Sequence, residues 1–188
     1  AVVVSSAHAS KTELPDWVTQ AAAAQVQVPP GAQPKAAILL EDQLLTVSPT
    51  GQIVERYRKV VKILRPQGRN YAHPFVEFNK ESKLLSFHIW SIGPDGHHYT
   101  VKKDQIIEGG TDEWGILYND ARYKTADPPG ADPGGIVAYE YTEQIPMYSG
   151  NEPWGFQHST PTVKSVFEID LPQGWQHRAL WRKYESVR

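Results

Sequence analysis

Residues 54 to 68, Val-Glu-Arg-Tyr-Arg-Lys-Val-Val-Lys-Ile-Leu-Arg-Pro-Gln-Gly, form a long charged and β-branched run that stops at a turn, and a second strand-forming block fills 84 to 96. This pair constrains the fold more than any other feature. Residues of these types suit a pleated, half-buried surface, and Pro66, Gly68 and Asn70 end the first run because they break regular pairing. The pair therefore predicts the opening of an antiparallel all-β domain.

The rest of the chain repeats that pattern. A strand over 36 to 47 meets the turn signal Ser48-Pro49-Thr50-Gly51 and leads into 52 to 64, which predicts a hairpin. The mixed polar start of the second strand suggests that it runs past the edge of its partner sheet. Short strands are predicted at 75 to 78 and 98 to 101, and a central one at 84 to 92, with Leu85, Phe87 and Ile89 on one side and Leu84, His88, Trp90 and Ile92 on the other. Residues 102 to 135 are less regular. Alternation at 136 to 144 and 163 to 171 predicts strands with one dry and one wet face, and Leu171-Pro172-Gln173-Gly174 turns into a last strand ending near Tyr184.

Eight or nine short strands at this turn spacing imply an all-β, two-sheet antiparallel β-sandwich of the immunoglobulin-like class, with an open barrel as the alternative. One short helix precedes it. Leu14, Trp17, Val18, Ala21 and Ala24 share a helical face behind Pro15; the alanine-rich stripe suits light packing on a sheet edge or an entry arm. Val28-Pro29-Pro30-Gly31 cannot continue that helix and reads as a linker. The expected organisation is a signal-peptide remnant at 1 to 9, helix and linker at 10 to 35, and the sandwich at 36 to 188.

Composition bounds the partners. Nineteen basic against twenty-one acidic residues, with no block of one sign, leave no footprint for nucleic acid or a polybasic membrane patch. No apolar run approaches the roughly 20 residues of a membrane span. Zero cysteines exclude a disulfide framework, a thiolate metal site and a cysteine nucleophile within these residues. Ala7 and Ala9 have the A-x-A spacing of a signal-peptidase site behind an apolar opening. The same string would also suit an ordinary N-terminal strand.

No triad or metal motif emerges. His97 and His98 are adjacent, so on a strand they point to opposite faces and cannot reach one ion. His88 reads as a core or interface histidine, and His73, His158 and His177 stand isolated. Ser86 and Ser91 flank His88 without a G-x-S-x-G elbow. Asp112-Glu113-Trp114 with Tyr118-Asn119-Asp120 puts acids beside aromatics, as a glycosidase would and as a solvated loop pinned by Trp114 would. Tyr148, Trp154 and Phe156 around Gly150 fit either an exposed contact platform or buried loop anchors.

Several blocks together carry a resemblance: Leu39-Leu40-Glu41-Asp42 to Val47, Tyr57-Arg58-Lys59-Val60-Val61-Lys62-Ile63-Leu64, Leu84-Leu85-Ser86-Phe87-His88-Ile89-Trp90 with Gly93-Pro94-Asp95-Gly96, and Gly135-Ile136-Val137-Ala138-Tyr139-Glu140-Tyr141. With Gln157, Pro161, Val163 and the Phe167 to Gly174 run, the chain resembles, over residues 36 to 186, the β-sandwich domain that precedes transglutaminase-like cores in exported bacterial proteins. The resemblance implies a longer protein of the periplasm or cell envelope, in which a Cys-His-Asp core follows Arg188. It transfers no catalytic residue and implies no cofactor or metal. The expected role is a noncatalytic accessory domain that positions or gates that core, its partner in the same chain. The alternative is an independent glycan- or peptide-binding module using Trp114, Tyr118, Tyr148 or Trp154.

Overall fold

The computed structural model describes residues 13–28, 30–110, 120–146, 153–156 and 158–180. After helix α1 (Asp16–Ala22) come β1 (Ala36–Val47), β2 (Ile53–Ile63), β3 (Phe75–Phe78), β4 (Lys83–Ile92), β5 (His98–Thr100), β6 (Ile107–Gly110), β7 (Arg122–Thr125), β8 (Ile136–Ile145) and β9 (Ser165–Asp170). A 3-10 turn, Pro66–Tyr71, joins β2 to β3. Six strands form a large sheet in the order β5-β4-β8-β2-β1-β9, and three form a small one, β3-β7-β6. The expected β-sandwich is the fold. Among the described residues, parallel pairing occurs along one edge of β1, where β9 runs parallel to it and Thr162 bridges Ile38.

Each face of the large sheet has its own apolar cluster. On the outer face, Leu14, Val18 and Ala21 of the α1 region meet Leu39, Leu40, Val60 and Ala138. The helix thus packs on the middle of the sheet, not on its edge, because β8 and β2 present small and branched side chains there. Arg58 of β2 lies over the Trp17 ring at 4.9 Å and pairs with Glu140 at 2.5 Å. On the inner face, Val76 of the small sheet packs with Phe87, Ile89, Val101, Ala126 and Tyr139.

Three strand readings change. A register shift between Leu84 and Ser86 moves Leu84 to the side of Phe87 and Ile89 and leaves Leu85 exposed; a bulge adds one residue and reverses the alternation behind it. β8 is buried on both faces from Ile136 to Tyr139, since α1 covers one side and the small sheet the other. The expected last strand is absent among residues 171–180, and the remainder of that prediction lies outside the described residues. Among the described residues no helix is long and apolar enough to cross a membrane.

Candidate functional site

The polar start of β2 is not an edge effect, because β2 lies between β1 and β8. Strand alternation sends Glu55, Tyr57 and Lys59 to the inner face, where register aligns three rows across the sheet. Glu41, Lys59 and Tyr139 stand in one, Gln43, Tyr57 and Tyr141 in the next, and Leu45, Glu55 and Glu143 in the third. Three strands of the small sheet cannot cover six, so this polar ladder occupies the half toward β1 and β9.

Glu41 is its centre, 5% exposed. Its Oε1 accepts from the Tyr57 hydroxyl at 2.5 Å and the Lys59 ammonium at 3.0 Å, and its Oε2 faces His158 Nε2 at 2.5 Å. Burial acts to raise this carboxyl, but the Tyr57 hydrogen bond, the Lys59 ammonium and His158 outweigh it and hold the group below the ordinary glutamate value. In the third row the balance reverses. Burial raises Glu143, neighbouring Glu55 raises it further, and a hydrogen bond from Ser82 only partly opposes them. Glu55 accepts from Gln43 Nε2 at 2.9 Å and from the Tyr141 hydroxyl at 3.0 Å. Burial likewise pushes the phenols of Tyr57, Tyr139 and Tyr141 up, so all three stay neutral, and Tyr57 and Tyr141 donate to Glu41 and Glu55.

The segment after β8 closes this half. Trp154 stacks on Phe167 of β9 at 5.6 Å, donates its indole N–H to Ser165 at 3.0 Å and meets Tyr57 edge-on at 6.5 Å. It is half-buried and pins its loop; Phe156, against its edge, is 40% exposed. His158, read as isolated, is tied to Glu41 across 117 residues of sequence, a distance at which no local pattern signals a contact.

Of the other residues singled out in the sequence, Trp114, Tyr118 and Tyr148 lie outside the described residues, as do Asp112, Glu113 and Asn119. Asp120 accepts from the Lys80 backbone and pairs with its ammonium at 3.4 Å. His88 is exposed and stacks on Trp90 at 5.9 Å, so it is a surface residue and not a core histidine. The Ser91 hydroxyl donates to the Pro129 carbonyl at 2.6 Å, and His97 sits in the β4–β5 turn with its backbone N–H on Asp95.

A second polar site lies away from the ladder. Arg69 and Asn70 of the 3-10 turn, His73, and Asp127, Pro128 and Asp132 of the loop before β8 line an open cleft of about 600 Å³. Arg69 pairs with Asp132 across it. His73 Nε2 lies 2.6 Å from Thr125 Oγ1, and its Nδ1 lies 3.7 Å from Asp127. His73 therefore is not isolated either.

Residues 49–186 match the sequence pattern of the "Domain of Unknown Function with solved-structure structure", DUF3857. The chain belongs to the DUF3857 family. Among the curated proteins, none matches it. In solved structures, this DUF3857 chain is similar to a protein of Parabacteroides distasonis named as a candidate protease, with a TM-score of 0.57 and 16% identity over 74% of the chain. At that identity the likeness is one of fold. The chain spans 29% of that protein's length.

Within this DUF3857 domain, the two sites differ in what they can do chemically. Both Glu41 oxygens are engaged and the surrounding phenols are held neutral, so the ladder works as a clamp between the sheet and the Trp154 segment. The cleft presents an imidazole, a guanidinium and two carboxylates at an open surface.

Proposed function

We propose that this domain is a noncatalytic accessory unit of an exported protein, and that it positions or gates a transglutaminase-like core elsewhere in the same chain. The observation that carries the reading is the neighbour in Parabacteroides distasonis: a similar fold makes up a minor part of a larger protein named as a candidate protease. The ladder supports it. Its Glu41, Tyr57, Lys59 and His158 side chains are committed to holding the domain's own segment in place, which suits a rigid body that works through its surface.

The test compares the full-length protein with a form lacking residues 36 to 180, using a mixed peptide library and mass spectrometry. Peptide cleavage or transamidation by the full-length protein should change in rate or site preference when the domain is removed. The isolated domain should leave every peptide intact. Cleavage by the isolated domain, or an unchanged rate and preference after its removal, would overturn the reading.

A further inference from the structure

The hydrogen bonds around His73 fix the position of its ring proton. Thr125 Oγ1 donates its single hydrogen to the Pro74 carbonyl at 2.7 Å, an oxygen that can only accept. The same Oγ1 lies 2.6 Å from His73 Nε2, and with no second hydrogen to give, it accepts there. Nε2 therefore carries the proton, and Nδ1 is left as a lone-pair acceptor in the neutral ring. Nδ1 lies 3.7 Å from Asp127 Oδ1, too far apart for a direct hydrogen bond. One nitrogen donor can sit about 2.9 Å from both of two acceptors so separated. An ammonium, with three hydrogens, meets that requirement.

Elsewhere in the cleft, the Arg69 guanidinium is 58% exposed and held by the 50% exposed Asp132. An exposed pair of this kind contributes little and exchanges partners readily. The planar guanidinium fork suits a carboxylate. The backbone of both walls is packed before any ligand arrives. Ala72 and Pro74 on either side of His73 are buried, and Ser91 ties down Pro129. Gly130, at φ +70°, approaches the Gly93 backbone so closely that an added Cβ would stand 2.9 Å from its Cα. Preorganisation of this kind lowers the ordering cost of binding.

We propose that this cleft binds a small zwitterionic ligand of the short-peptide class, its ammonium between His73 Nδ1 and Asp127 and its carboxylate on Arg69. The site stands whether or not the domain serves a peptidase core.

Glycylglycine is the probe, added to the isotope-labelled full chain and followed by NMR. The expected result is an Nε2–H tautomer for His73, with chemical-shift changes at His73, Gly130 and Asp132. His73→Leu removes the Nδ1 acceptor together with the bond to Thr125, and should weaken binding by about tenfold, the scale of one hydrogen bond to a charged group. Arg69→Gln should weaken it to a similar degree. On the unaltered protein, N-acetyl-glycylglycine and glycylglycine amide, which lack the ammonium and the carboxylate respectively, should each bind less well than glycylglycine. An Nδ1–H tautomer, no response to glycylglycine at millimolar concentration, or equal binding of all three compounds would overturn the proposal. The three-compound comparison decides it even if a variant fails to fold.

Discussion

Two glutamates on one face of one sheet, Glu41 at 5% exposure and Glu143 at 7%, are driven in opposite directions. Glu41 stands among a phenol, an ammonium and an imidazole. Glu143 stands directly opposite Glu55 of the adjacent strand in the same ladder. The former is held below the ordinary value and the latter above it. Burial is common to both and acts upward on both, so the neighbours, supplied by register and by the His158 segment, decide the direction of the shift. A slip of one residue in β2 would send Tyr57 and Lys59 to the outer face and abolish the difference.

The largest expected effect comes from Glu41→Gln, which leaves Lys59 and His158 facing a neutral amide. Urea unfolding near neutral pH should show a loss of about 3 kcal/mol, the lower end for breaking a buried ion pair from one side. A loss under about 1 kcal/mol would mean that water, and not Glu41, satisfies these donors. The pH dependence should separate the two glutamates. The folded-state value of Glu41 is depressed, so its contribution is present above the unfolded value and lost as pH falls through the folded one. For Glu143, raised in the folded state, the contribution is full below the unfolded value and lost as pH rises through the folded one. Glu41→Gln should flatten the acid limb of the stability profile, and Glu143→Gln the limb above the ordinary glutamate range.

Trp154→Ala comes next. It removes the stack on Phe167 and the hydrogen bond to Ser165, and for a half-buried ring the cost should be about 2 kcal/mol, below the range for a fully buried tryptophan. Amide exchange should then quicken around Ser165 and Glu41 while the Glu143 end keeps its protection. Uniform loss of protection would show that the two ends unfold as one unit. The smallest effect has the opposite sign. Glu143→Gln relieves the repulsion with Glu55 and keeps a side chain that can accept from Ser82, so stability at neutral pH should rise by about 0.5 to 1 kcal/mol. A loss of stability there would mean that Glu143 has a favourable charge partner after all.

Much of the sheet framework was legible because alternation and turn chemistry are local. The strand bounds at 36 to 47 and 75 to 78 and the hairpin turn at Ser48 to Gly51 agree with the fold. The bulge at Leu84 was not legible, since it is set by the fit of β4 to β8, and a single strand's alternation carries no sign of its partner. The ladder was half visible. Glu55, Tyr57 and Lys59 alternate with Arg56 and Arg58, but the sequence could not say that both sets lie in a central strand with full partners on each side. Of the aromatic platform, Trp154 pins a loop with Phe156 against its edge, while Tyr148, like Trp114 and Tyr118 of the acidic segment, lies outside the described residues.

By itself, then, the sequence determined a β-rich chain of many short strands without cysteine, and the run from Val54 to Gly68 as one of its strands, because pleat periodicity and turn residues act within a few positions. Tertiary structure alone decided that this strand is central, that Tyr57 and Lys59 close on Glu41, and that His158 and His73 have partners. Those outcomes depend on which strands become neighbours and in what register, and each joins residues too distant in sequence for any local pattern to link.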